Sequence, residues 1–124
     1  MTDMVTIDLL IEEMDYRLKN NNYLSSIFIA SNIVEILQDQ FSKEEKDIAN
    51  IINEIKSNSC DKVSVIFVVD ESNYSSEFKI HRNIDNEIDG IVINPYVYCE
   101  HIKNTVNNIF NFEAFENEVF GFSI

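Results

Sequence analysis

Tryptophan is absent from this chain, and 124 residues include one proline, two glycines and two cysteines. So little glycine and proline excludes a fold made of tight turns and loops and leaves mostly regular structure. Gly90 and Gly121 stand alone, which excludes a glycine-rich, phosphate-cradling loop. Cys60 and Cys99 are too few for a disulfide-stapled scaffold. Asp3, Asp8, Glu12 and Glu13 break the first apolar run, and no basic region precedes it, unlike a secretory leader. Reduced thiols and a cytoplasmic location are therefore expected. No stretch approaches the roughly 20 apolar residues of a membrane-spanning helix.

Positive charge is the other shortage. Nine Lys and Arg face 22 Asp and Glu, a net charge of −13. Nucleic acid and anionic membranes are bound by cations that neutralise phosphates, so both are excluded as direct partners. A surface of this sign instead concentrates and steers cationic ligands.

What is present is enough to fold. An apolar fraction of 45%, with 11% aromatic residues, separates the chain from disordered acidic sequences. Its length fits a single domain over residues 1–124. The acid is uneven: residues 63–124 carry 10 acids and 3 bases, and nothing positive follows Lys103.

Apolar spacing predicts an amphipathic helix over 3–19, with Ile7, Ile11, Met14 and Leu18 on one face and Asn20-Asn21-Asn22 ending it. Ion pairs Glu13–Arg17 and Asp15–Lys19 are expected on its surface. A second helix, apolar nearly all round and hence central, is expected over 23–41. Ser42-Lys43-Glu44-Glu45 is a capping box opening a third, with Ile48, Ile51, Ile52 and Ile55 as its buried stripe. The period then shortens. Val63–Val69 reads as an interior strand. Residues 77–84 read as a second strand with Phe78, Ile80 and Ile84 on one face, and Ile88–Ile93 as a third. Asp85-Asn86-Glu87 would turn a hairpin between the last two. Asn94-Pro95 starts a long helix carrying Cys99, Ile102, Val106, Ile109 and Phe110, and Phe120, Phe122 and Ile124 alternate like an edge strand. The fold class is α+β: N-terminal helices, then a small mixed or antiparallel sheet with one long return helix.

Three constellations invite a chemical reading. Asp70, Glu77 and Lys79 resemble the acid and Glu-x-Lys set of metal-dependent nucleases, but the Asp70 spacing is short and the net charge opposes phosphate. Cys60, His81, Cys99 and His101 lack the paired spacing of a zinc site, so no metal and no cofactor is expected. Asp85, Glu87 and Asp89 lack the fixed glycine and closing Glu of a calcium loop. No nucleophile elbow accompanies the cysteines and histidines. The chain is therefore expected to be no enzyme.

The reading that remains is an acidic inhibitor of the immunity or antitoxin type. It would block the basic active site of a cognate toxin, such as a nuclease, by charge complementarity. Candidate partner-binding residues are Asp70, Glu71, Tyr74, Asp85, Glu87 and Asp89, with Glu113, Glu116 and Glu118 as a second patch. Tyr74, and to a lesser degree Tyr96 and Tyr98, would supply aromatic anchors among the carboxylates. A nucleic-acid mimic, or a nuclease on Asp70, Glu77 and Lys79, are the alternatives.

Overall fold

A computed structural model describes residues 4–57, 63–69 and 78–121, with Met4, Phe78 and 111–121 described as backbone. It is an α+β fold of four α-helices, α1 (Met4–Lys19), α2 (Tyr23–Ile36), α3 (Lys43–Lys56) and α4 (Pro95–Gly121). Three strands join them: β1 (Ser64–Phe67), β2 (Phe78–Arg82) and β3 (Ile88–Ile93).

α1 ends as its asparagines require. Asn21 takes a left-handed φ of 63°. The Asn22 N–H reaches the Arg17 carbonyl at 2.8 Å and the Asn21 N–H that of Leu18 at 3.1 Å, the paired closure of a Schellman motif. Glu13 and Arg17 pair at 2.7 Å as expected. Asp15 does not pair with Lys19; it turns to Lys103 of α4, 3.4 Å away.

α2 is the central helix, with Ile27, Ala30, Ile33 and Val34 fully buried. Its buried serines are tolerated because each hydroxyl donates to a carbonyl one turn back, Ser26 to Tyr23 and Ser31 to Phe28. The helix is shorter than its apolar pattern predicts. It stops at Ile36, and a 3-10 turn at Gln38–Gln40 leads to Phe41 in extended conformation. Turning the chain there buries Leu37 and Phe41 and delivers Ser42 in the extended geometry an N-cap needs.

The capping box forms as expected. Ser42 Oγ accepts from the Glu45 N–H, and Glu45 Oε2 accepts from the Ser42 N–H at 2.9 Å and its hydroxyl at 3.0 Å. Glu45 is only 6% exposed, and its other oxygen, Oε1, meets Nε2 of His101 on α4. One carboxylate thus starts α3 and joins it to α4, a link the sequence pattern did not reveal.

The sheet order is β1-β3-β2, with β1 parallel and β2 antiparallel to β3. Among the described strands the Val63–Val69 run is therefore at the edge and not the interior one its apolar run suggested. Val65 and Phe67 are partly buried, whereas Ser64 and Ile66 are exposed. β3 holds the centre despite Asp89 and Gly90, because Ile91 and Ile93 supply the core face. Ile84 also departs from expectation: it lies beyond β2, fully exposed. The tail is helical where an edge strand was expected, since α4 runs on through Phe120 to Gly121; Phe122 and Ile124 lie outside the described residues.

α4 begins as predicted, Asn94 Oδ1 accepting from the N–H groups of Tyr96 (3.1 Å) and Val97 (3.4 Å). The buried apolar residues form one cluster that joins the four helices to Ile91 and Ile93. An aromatic string runs across its edge. The Tyr23 ring lies 6.1 Å from Phe67 and 5.8 Å from Tyr96, the latter edge-on.

Ser42→Ala should cost ~1 kcal/mol, the value of a lost helix cap. Glu45→Ala removes the cap and the contact with His101 together and should cost ~2–4 kcal/mol. Urea midpoints of the two variants, compared at equal slope, check this ordering.

Candidate functional site

Of the acidic candidates from the sequence, those with described side chains are Asp85, Glu87 and Asp89 of the β2–β3 hairpin. Its turn is built by one side chain. Asn83 Oδ1 accepts from the N–H groups of Asp85 at 2.9 Å and Glu87 at 3.0 Å. Backbone bonds close the same loop, Asn83 N–H to the Glu87 carbonyl and Asn86 N–H to the Asn83 carbonyl. Asn86 takes a left-handed φ of 64°, and Arg82 donates to its carbonyl at 3.1 Å. Asparagine does here what glycine does in most hairpins, since its short amide tolerates that conformation. Ile84, Asp85 and Glu87 are thereby presented together on an ordered tip, all exposed.

Asp89 owes its direction to a bulge. His81 pairs with Gly90 and Arg82 with Ile88, so Asp89 is the extra residue opposite the junction. Its Oδ1 meets His81 Nδ1 at 2.5 Å on the surface. Asp89 is thus half-committed to a partner within the hairpin, while Asp85 and Glu87 carry the outward charge. The sequence reading missed Asn83 and Ile84. The signal available for Asn83 was an Asn two residues before an Asp at a strand end, an Asx-turn pattern.

Of the other sequence candidates, Asp70, Glu71, Tyr74 and Glu77 lie outside the described residues, as does Cys60. Glu113, Glu116 and Glu118 fall on the last turns of α4, of which the backbone alone is described. Lys79 is exposed on the outer face of β2, opposite Val92. Tyr96 is partly exposed beside Tyr23. Tyr98 is fully buried in the core and so is corrected from anchor to packing residue.

The cysteine and histidine candidates do not converge. Cys99 is buried, and that burial pushes its thiol up to about 12 despite the lowering contact of the Ser26 hydroxyl. It is no nucleophile near neutral pH. His101 turns to Glu45, and His81 sits on the hairpin with Asp89. Among the described residues no cluster of three or more metal-ligating side chains occurs.

A surface recess of about 510 Å³ lies between α1 and α4, lined by Asp15, Leu18, Tyr96, Glu100, His101 and Lys103 among others. Lys103 spans it, 3.4 Å from Asp15 and 3.5 Å from Glu100. Desolvation pulls the Lys103 pKa down, but the two carboxylates outweigh it and leave it raised. The cation that would greet an anionic ligand is already neutralised. Among the described residues no helix is long and apolar enough to cross a membrane.

Compared with protein-family models, curated proteins and solved structures, the chain matches none.

Two outcomes follow from this geometry. Asn83→Ala should leave the fold intact but speed hydrogen exchange at the Asp85 and Glu87 amides, read by NMR. Cys99 should resist iodoacetamide at pH 8 in the folded protein and react once urea unfolds it, read by mass spectrometry of the Cys99 peptide.

Proposed function

We propose that this protein is a non-enzymatic inhibitor of the immunity or antitoxin type, docking its acidic β2–β3 hairpin on the basic active-site surface of a cognate toxin. The observation that carries the reading is Ile84, fully exposed between an Asn83-held turn and the carboxylates of Asp85 and Glu87. An isolated apolar side chain held out in water gains ~1.5–3 kcal/mol on entering a socket. Carboxylates around it select a basic rim and speed encounter. Because the turn is already ordered, docking does not have to freeze it.

A toxin site that grips phosphate offers the complementary chemistry. Its Lys and Arg would pair with Asp85 and Glu87 in place of substrate oxygens. That favours a nuclease as the target, with Glu113, Glu116 and Glu118 as a second contact patch. Such a protein would act in the cytoplasm, before the toxin reaches its substrate, and the free thiol of Cys99 suits that compartment.

The test is capture from the native source at low salt, elution by a salt gradient and identification by mass spectrometry. Wild type should retain one basic protein and release it only above physiological ionic strength. Asp85→Lys with Glu87→Lys should abolish retention, and Ile84→Ser should weaken it about tenfold, equivalent to ~1.4 kcal/mol. A partner held equally by wild type and both variants would overturn the hairpin as the docking element.

A further inference from the structure

The two edges of the sheet are finished differently. β2 carries Lys79, His81 and Arg82 among its five residues. Charges of that kind are how sheet edges avoid unwanted pairing. β1, at the opposite edge, reads Ser-Val-Ile-Phe, without a charge or a proline, and stays in regular register with β3 from Ser64↔Gly90 to Phe67↔Ile93.

Its outward backbone groups can be assigned. The Val68 N–H donates to the Ile93 carbonyl at 2.9 Å, so Val68 faces β3. The N–H and C=O of one strand residue share a side, and successive residues alternate. Ser64 and Ile66 therefore pair inward with β3, while the N–H and C=O groups of Val65 and Phe67 point away from the sheet. No strand among the described residues pairs with that side. Beside it, Ile66 is 54% and Val69 43% exposed, an apolar margin along the open edge.

We infer that the free edge of β1 is a strand-addition site for an extended, cation-bearing segment of the protein's partner. Main-chain bonds to Val65 and Phe67 would supply the register, and an apolar side chain on the solvent face would cover Ile66. Charge chooses the occupant. The chain carries −13. A segment bearing Lys or Arg is attracted to a protein of that charge. A second copy would bring another −13 and an identical uncharged β1 with no compensating cation. This rests on the reading of a basic protein partner, but it uses a surface separate from the hairpin.

The probe is a synthetic peptide, Lys-Val-Lys-Ile-Lys-Val-Lys, compared with the same peptide carrying Glu for Lys and with one N-methylated on alternate amides. Binding is read by NMR shifts and by hydrogen exchange at Val65 and Phe67. The basic peptide should protect both amides and weaken as salt rises. The N-methylated form should bind about tenfold less tightly or worse, because it lacks the donors. Ile66→Lys, at an exposed position, should weaken the basic peptide without unfolding the protein.

Equal binding of the acidic peptide would overturn the inference, as would binding that leaves Val65 and Phe67 unprotected. Protection already present in the dilute free protein would mean the edge is covered. Protection that grows with protein concentration alone would assign it to a second copy. The outcome is separable from the hairpin reading: Asp85→Lys with Glu87→Lys should abolish toxin capture yet leave peptide protection at β1 intact. Toxin capture without peptide binding would sink strand addition alone.

Discussion

α2 sets the terms for the rest of the protein. It lies against α1, α3 and α4, and almost every direction around its axis is apolar. A helix of that kind is stable only when covered, so the other helices are obliged to surround it. Their amphipathic stripes face inward onto it, and its two buried serines donate within the helix. The sheet closes the remaining side through Ile91 and Ile93. Ile91 and Ile93 lie on the core face of the strands, while Ser64, Ile66, Lys79 and His81 lie on the other and are all exposed.

Within that arrangement Glu45 settles a problem of charge. A carboxylate so deeply buried is costly unless its oxygens are bonded. Here one oxygen accepts two bonds from Ser42 and the other meets His101, so local capping and a contact between distant helices share one group. Much of the remaining acid stays in water. Asp15 and Glu100 gather on Lys103, and Asp89 on His81, while among the described residues no cation pairs with Asp85 or Glu87.

The starts of α3 and α4 and the stop of α1 were legible because their chemistry is local, whereas the ends of α2 and α4 were not. Ser42 with Glu45, Asn94 with Pro95, and the asparagines after Lys19 each act within a few residues, and each behaves as its type dictates. Positions that depended on neighbours distant in sequence were misread. Val63–Val69 has the composition of a central strand, yet whether a strand is central depends on what lies beside it. Ile84 is a local exception: it continues an apolar alternation on paper, but the adjacent Asn83 side chain closes the turn before that alternation can be used. Tyr98 looked like an anchor because acids flank it in sequence; the helical turn points it the other way, into the core. His101 and Glu45 stand 56 positions apart, and no spacing rule links them.

The parallel attachment of β1 has a consequence for the order in which the chain assembles. β2 and β3 meet through a short turn and can zip locally. Ser64 must find Gly90 across the whole of the intervening chain, including that hairpin. Contacts of greater sequence separation carry a larger closure entropy and form later. With one flanking strand and four residues, β1 is also the part of the sheet with the fewest bonds to break, so it opens before the core does. The strand whose edge faces outward is the last to join its own sheet and the first to leave it.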